Sequence, residues 1–504
     1  MAVLFNDFAA QKGDEPALVD ASGSTSWSSL NDRVNRLIHV LRSHGVQPGE
    51  RIALLSGNRR ETYEVVGAAA HAGVLMVPVN WHFAAEEVEY VVENSESRLV
   101  ITDPAYDHLA ANVAVPRLVF GGSYEDALRS APAAEPDDQM LGGVMFYTSG
   151  TTGRPKGVRS TSFQTNVTPA VYQLMAAGIN SMGFAAGGRT LLCGPHYHSA
   201  QWAFTFFPMV GGSPIYIQPK FVPEETLELI DRYQIENIHL VPTQFVRLLR
   251  VSPERRDAFS GESLHVALHG AAPCSPEVKR QMIEWWGPKV TEYYGATEGG
   301  VVSLITAEEW LERPRSVGRP LPTMTVKIVP EGGGEAAPMQ EGVIHLRSAM
   351  GQDFEYLGEP EKTAEAHSEP GFITMGDIGY LDAEGYLYLS DRKIDMIISG
   401  GVNIYPAEIE GVLAAHPAVV DVAVFGVPNE EFGEEVKAAL QLVPGTAWTP
   451  ELERDVAAYA RERLAGYKVP KSFDVVDSMP RSEAGKLLKR QLRMPYWEGT
   501  GRKI

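Results

Sequence analysis

Thr148-Ser-Gly-Thr-Thr-Gly-Arg-Pro-Lys-Gly157 is the stretch on which the reading of this sequence turns. It follows the apolar run Val144-Met-Phe-Tyr147, so a strand is expected to lead straight into a loop of hydroxyl-bearing residues and glycines. Such a loop suits phosphate. Gly150 and Gly153 let backbone N–H groups turn inward, and the hydroxyls of Thr148, Ser149, Thr151 and Thr152 add donors. Lys156 supplies a fixed positive charge. The nucleotide loop of kinases and GTPases is excluded, because that pattern ends in Gly-Lys followed by Ser or Thr. Here Gly157 follows Lys156, and Pro155 breaks the entry to a helix. A flexible polar linker is the plain alternative for any Gly/Ser/Thr-rich stretch, and the ordered succession behind a strand weighs against it.

Outward from this loop, the first 300 or so residues alternate short β-branched runs with amphipathic stretches. Arg51–Ser56, Leu75–Val79 and Arg98–Asp103 read as strands, and Glu61–Ala72 as a helix with one apolar face. Leu191–Gly194, Ile238–Val241 and Leu264–Leu268 continue the alternation. The pattern predicts an α/β fold with parallel layers and ligands held by loops at the strand ends. From about Val301 to Ser390 it changes. Thr325–Val329, Gly342–Arg347 and Gly385–Leu389, split by Gly/Pro turns, read as a small, mainly antiparallel unit. After Arg392 comes a compact α+β unit: a helix opened by Pro406, strands at Val419–Phe425 and Val436–Leu442, and a helix from about Pro450 to Leu464. The expected division is an N-terminal domain over residues 1–391 (its β-rich part about 301–390), a hinge about 392–394, and a small C-terminal domain over 395–504.

The 504 residues are too many for one hydrophobic core, which agrees with several units. A formal charge of −20 excludes binding of nucleic acid through a broad basic surface. The C-terminal stretch runs the other way, with Arg481, Lys486, Lys489, Arg490, Arg493, Arg502 and Lys503 against Glu483 and Glu498. A solvated face is the bland reading of that charge run, and contact with a phosphorylated ligand the sharp one. Cys193 and Cys274 have no metal or redox spacing and read as reduced, buried thiols. The opening residues lack a signal-peptide pattern, and no apolar run approaches the roughly 18 residues of a membrane span. The expectation is a cytoplasmic protein without an integral membrane segment.

Ser149-Gly-Thr-Thr-Gly-Arg-Pro-Lys-Gly157 resembles the phosphate loop of the AMP-binding, adenylate-forming superfamily, which includes acyl-CoA synthetases, adenylation domains of peptide synthetases and beetle luciferases. Further stretches resemble that family's motifs in order. They are Tyr294-Gly-Ala-Thr-Glu298, Gly376-Asp377, Asp391-Arg392, Ser399-Gly-Gly-Val-Asn-Ile-Tyr-Pro406 and Pro480-Arg-Ser-Glu-Ala-Gly-Lys-Leu487. The resemblance covers nearly the whole chain. It implies an enzyme that joins a carboxylic acid to AMP with loss of pyrophosphate and passes the acyl group to coenzyme A, using ATP and magnesium. The acid is expected to be bulky and hydrophobic (fatty, steroid-like or terpenoid), in lipid or terpenoid metabolism.

The same resemblance implies roles. Thr148 to Gly153 and Lys156 hold phosphates; Glu298 carries magnesium; Thr297 donates to the α-phosphate. Asp377 and Arg392 take the ribose, Tyr294 packs on adenine with Gly295 beside it, and the turn Gly270, Ala271, Ala272 lies against adenine and acyl group. Lys486 reaches carboxylate and α-phosphate during adenylation. His198 stands at the acyl pocket wall and is proposed in relatives to swing between half-reactions, although ordinary packing accounts for it nearly as well. Trp202 and Ala296 are further pocket candidates; an aromatic run such as Trp202, Phe204, Phe206 and Phe207 is more often core. Gly400 and Gly401 match glycines beside the pantetheine tunnel.

One position departs from the family. The pivot of the C-terminal domain, usually Asp or Lys, is Ile394, a stiffer β-branched residue. This leaves open a stand-alone adenylating enzyme that hands its product to a carrier protein or a separate thiolating partner. A catalytically dead relative is disfavoured by the presence of Lys486, Glu298 and Asp377. Luciferase-type oxidation is remote, since the chain ends without a peroxisomal tripeptide. A homodimer is left open.

Overall fold

The computed structural model describes residues 5–148, 155–160, 169–367, 369–392, 395–399, 402–429, 432–481 and 487–498. Its backbone is a 13-stranded sheet. From Pro16–Asp20 through Ile215–Ile217, Thr190–Leu192, Asn237–Leu240 and Val266–His269 to Val290–Ala296, neighbouring strands run parallel. Helices cross between them, as the strand–helix alternation predicts. A second, five-stranded sheet has the order Arg117–Val119, Ser97–Thr102, Arg51–Leu55, Leu75–Pro78, Gly143–Val144, again all parallel.

The antiparallel unit expected after Val301 is not a separate sheet. Val290–Ala296 turns back on itself through Gly300–Ile305, and from there Ser316–Pro320, Leu387–Arg392, Ile373–Leu381, Gly342–Ser348 and Met324–Val329 extend the same sheet. The alternating pattern told the strands apart but not where they dock, because edge pairing leaves no trace in the strand's own sequence. Buried residues still divide: Val302, Val317, Ile344, Leu346 and Leu387 make one cluster beneath the antiparallel half, apart from the larger cores under the parallel strands.

Arg60–Ala72 forms the helix expected over Glu61–Ala72, but every residue from Thr62 to Ala72 is buried, not one face alone. The helix is enclosed by the helix Trp27–Ser43 and by the segment around Phe5; a Cβ on Gly67 would lie 2.7 Å from the Phe5 ring. Its one buried acid, Glu64, is met by Arg33 Nε at 2.6 Å and by the Tyr124 hydroxyl at 2.9 Å. A paired charge can be enclosed where a lone one cannot.

Past residue 402 the chain builds its own core from Ile404, Ile409, Leu413, Val424, Leu440, Val456 and Ala460. The hairpin Val419–Asn429/Gly433–Leu442 is its centre, flanked by Ser472–Val475 and by the helices Pro406–Leu413 and Pro450–Arg461. Among the described residues no helix is long and apolar enough to cross a membrane.

Candidate active site

Thr148 ends the strand Phe146–Thr148, Lys156 begins the strand Lys156–Ser160, and the two are direct register partners. The phosphate-type loop therefore leaves and re-enters the fold at one point. Ser149, Gly150, Thr151, Thr152 and Gly153 lie outside the described residues. The Lys156 ammonium stands 5.3 Å from the centroid of the Tyr356 ring, and the Tyr356 hydroxyl donates to Glu298 Oε1 at 3.0 Å. Burial, and then the charge of Lys362, hold the Lys156 pKa below the ordinary lysine value, against the pull of Glu359, Glu298 and Glu365. A cation part-stripped of water and facing a second lysine gains most when an anion arrives. No motif marked Tyr356. It reaches this place because Phe354–Tyr356 pairs with Lys156–Ser160, Tyr356 opposite Val158.

Glu298 and Thr297 sit in the turn of the hairpin that joins the parallel and antiparallel halves of the large sheet. The turn is tight, for a Cβ on Gly295 would lie 2.2 Å from the Gly300 carbonyl oxygen. Thr297 Oγ1 and Ser199 Oγ are 2.8 Å apart, tying the turn to the helix Ser199–Val210. Gly376, at φ +76°, turns the chain so that Asp377 enters the sheet, where it pairs in register with Arg392. The two ribose candidates are thus cross-strand partners despite their separation in sequence. Asp377 is 8% exposed and accepts from the Tyr294 hydroxyl at 2.7 Å; the Tyr294 ring is buried with Val158 and Val302.

On the other side of Tyr294 the turn Gly270–Ala272 follows the strand Val266–His269. A Cβ on Gly270 would lie 2.5 Å from the Tyr293 ring, so backbone and ring touch there. Ala271 takes φ +66°, a left-handed conformation that costs an L-residue about 1 kcal/mol and tends to persist at functional sites. His198 precedes the helix Ser199–Val210; its Nε2 is buried without a hydrogen-bond partner among the described residues. Burial, with a smaller push from His82, lowers its pKa to about 4, so it is neutral at pH 7. Trp202 is 3% exposed, stacked on Phe206 at 4.7 Å and edge-on to Phe146 at 5.8 Å. Ala296 is half-buried at the hairpin end.

In the C-terminal unit Arg481 and Leu487 form an isolated antiparallel bridge, and Arg481 is ion-paired with Asp421 at 2.7 Å. Lys486 lies outside the described residues, as do Ile394, Gly400 and Gly401.

The donor set fits magnesium held through a nucleotide. Glu298 offers a second carboxylate oxygen that no described residue engages, beside a lysine suited to phosphate. Among the described residues no group of three or more His, Cys, Asp or Glu could cage a metal alone. One carboxylate completed by phosphate oxygens is a usual magnesium arrangement.

Comparison with known proteins decides the family. Residues 5–351 match the AMP-binding enzyme family, and residues 408–486 match the AMP-binding enzyme C-terminal domain. This chain belongs to the AMP-binding enzymes. It is 30% identical, over 97% of its length and 95% of the relative's, to a fatty acid–[acyl-carrier-protein] ligase, ScoC, of Streptomyces coeruleorubidus. It is 33% identical to the long-chain-fatty-acid–CoA ligase FadD13 of Mycobacterium tuberculosis, covering 94% and 93% of the two chains. Among solved structures it resembles the o-succinylbenzoate CoA synthetase of Bacillus subtilis in complex with its acyl-adenylate, with a TM-score of 0.84, 28% identity and 98% of each chain covered. As a member of this family it is an AMP-forming acid–thiol ligase of the acyl-CoA synthetase kind, with ATP, magnesium and coenzyme A as cofactors. Sequence reading missed Tyr356, Ser199, Gln201, His239 and Tyr293 in this AMP-binding enzyme, since each reaches the site through strand pairing or packing and lies in no local pattern.

Proposed function

We propose that the enzyme activates a bulky hydrophobic carboxylic acid (fatty, steroid-like or terpenoid) and transfers it to the thiol of coenzyme A. The observation that supports this reading is the cluster of apolar rings beside the Gly270–Ala272 turn: Trp202 and Phe204 of the helix Ser199–Val210 are buried with Phe184 and Tyr293, next to the uncharged His198 and His239. An apolar acyl chain gains about 25 cal/mol for each Å² it buries there. The carboxylate would be left at the Thr297–Ser199 end, toward the nucleotide.

In the first half-reaction a carboxylate oxygen attacks the α-phosphorus of ATP, the bond to the bridging oxygen breaks, and pyrophosphate leaves. Lys156 and the Thr148–Gly153 loop hold the departing phosphates. Thr297 donates to the α-phosphate, and Asp377 with Arg392 fixes the ribose, Asp377 oriented by the Tyr294 hydroxyl. Magnesium, when bound at Glu298, neutralises pyrophosphate charge. Lys486, a compact positive charge, bridges carboxylate and α-phosphate. In the second half-reaction the thiol sulfur attacks the acyl carbon, the acyl–phosphate bond breaks and AMP leaves, with Gly400 and Gly401 beside the incoming pantetheine. A cytoplasmic site of action goes with this reading, supported by the free thiols Cys193 and Cys274.

A second acceptor is favoured by one specific finding, the 30% identity to a ligase named for the acyl carrier protein. Pyrophosphate release measured on a panel of carboxylic acids, aromatic acids included, tests both readings when run with coenzyme A, with acyl carrier protein and with neither. Thioester with coenzyme A supports the first. Adenylate without that thioester under any condition overturns it in favour of the carrier.

A further inference from the structure

Behind the Gly270–Ala272 turn lies a chain of buried hydrogen bonds whose proton positions can be worked out. Gln201, His239 and Tyr293 are 3%, 1% and 6% exposed. The Gly194 backbone N–H donates to Gln201 Oε1 at 3.2 Å, which fixes the orientation of the side-chain amide. Its Nε2 then donates to His239 Nδ1 at 2.9 Å and also faces the His239 carbonyl at 3.4 Å. His239 Nδ1 is therefore an acceptor, and the ring proton is on Nε2. That nitrogen is 3.3 Å from the Tyr293 hydroxyl oxygen, to which it donates. The tyrosine's own proton is left over, and no described residue accepts it.

The alternative tautomer fails. It would set an N–H of His239 against an N–H of Gln201, or turn the amide so that its NH2 met the Gly194 N–H. The rings themselves are packed among apolar neighbours: Phe204 lies edge-on to the Tyr293 ring at 5.1 Å and stacks on His239 at 5.0 Å, and Tyr293 belongs to the buried hydrophobic core. A donor kept among such groups is costly until an acceptor comes.

We propose that Tyr293 is a specificity residue whose hydroxyl donates to a neutral acceptor oxygen (keto, ether, ester or hydroxyl) in the tail of the carboxylic acid. This rests on the reading that the acyl tail enters between the helix and the turn. A second carboxylate is disfavoured as the acceptor. His239 behind the hydroxyl is uncharged, its pKa held at about 3 by burial and by His198, so no cation there would balance an anion.

The test uses the purified full-length enzyme with chain-matched pairs of acids, plain alkanoic acids against acids carrying one keto group stepped along the chain. The readout is the ratio of kcat/KM in ATP-dependent pyrophosphate release, so that general losses cancel. We expect one keto position to be favoured about tenfold over the plain acid, and that ratio to collapse toward one in Tyr293→Phe. Gln201→Leu, which leaves the tyrosine in place but frees His239 to accept from it, should collapse the ratio as well. If Tyr293→Phe does not fold, wild type against Gln201→Leu decides. Turnover of plain acids with no favoured keto position sinks the assignment of Tyr293 while the ligase reading stands. A keto preference that survives in both variants sinks it too. Release of pyrophosphate with no acid at all sinks the ligase reading, and this one with it.

Discussion

The two sides of Tyr294 are built on different principles. On the nucleotide side, polar residues stand in short runs, Thr148–Lys156 and Tyr294–Glu298, and are completed by charges at Asp377 and Arg392. On the acyl side, Gln201, His239, Phe204 and Tyr293 come from three separate elements and are enclosed by packing. The nucleotide is the same in every turnover, so its contacts can be written into local backbone geometry. The acid differs from relative to relative, and its wall is free to be assembled from whatever the sheet brings together. The contrast extends to charge. The candidate residues of one side, Lys156, Glu298 and Asp377, are charged side chains, while the histidines of the other are held neutral.

That difference in charge gives the largest effect. Burial lowers His196 and His239 to about 3 and His198 to about 4, against 6.5 in an unfolded chain. The unfolded state therefore takes up protons first as pH falls, and stability is fully present above about 6.5 and lost progressively below it. At pH 5.5, one unit below the unfolded value, each histidine costs on the order of 1 kcal/mol, so the three together remove a few kcal/mol. A thermal scan should show Tm falling by several degrees between pH 7.5 and 5.5, with the acyl-side core opening first in hydrogen exchange. A flat Tm over that window would mean the histidines are not buried neutral, and the comparison would lose its basis.

A smaller effect sharpens the nucleotide side. Tyr356→Phe keeps the ring beside Lys156 but removes the hydrogen bond to Glu298. A hydrogen bond to a charged group contributes about 1.5–3 kcal/mol at most, less where water can replace it, as at this half-buried site. The magnesium concentration for half-maximal pyrophosphate release should rise by about threefold to tenfold, with KM for the acid little moved. An equal change in both would make Tyr356 a general support and not an orienter of the metal carboxylate.

How far the sequence carried this reading follows the same division. The family was legible because the loop at 148–157 and the stretch Tyr294–Glu298 are short runs that can be read without their neighbours. Most strands were legible too, displaced by a residue or two: Leu264–Leu268 was expected where Val266–His269 forms, because His269 continues the pairing although it breaks the apolar run. What failed was everything decided by neighbours. Arg60–Ala72 looked amphipathic because Glu64 and His71 are polar, and only Arg33 and Tyr124, from elsewhere in the chain, explain how Glu64 is buried. Gly300–Ile305 opens the antiparallel unit expected from about Val301, and strand pairing carries the large sheet on into it, which the strands' own sequences do not record. Tyr356 carries no pattern at all.

The smallest effect belongs to the turn where the two sides meet. Ala271 has no side-chain hydrogen bond to hold it at φ +66°, so the conformation is imposed by its neighbours: Gly270 pressed on the Tyr293 ring, and the strand Val266–His269 feeding in behind. Ala271→Gly relieves the strain of the folded state but gives the unfolded chain more freedom, and the two oppose each other. With the left-handed penalty at about 1–2 kcal/mol and the entropy cost of glycine at about 0.5–1 kcal/mol, a gain of up to about 1.5 kcal/mol should remain. For a protein of this size that is about a degree or two in Tm. The functional readout should go the other way, because a turn fixed by a methyl group becomes looser. KM for ATP and for the acid should both rise by a small, similar factor, as expected of backbone that faces both ligands. If stability falls instead, Ala271 is not strained in the folded protein. If only one KM moves, the turn serves one side of Tyr294 and is not shared by both.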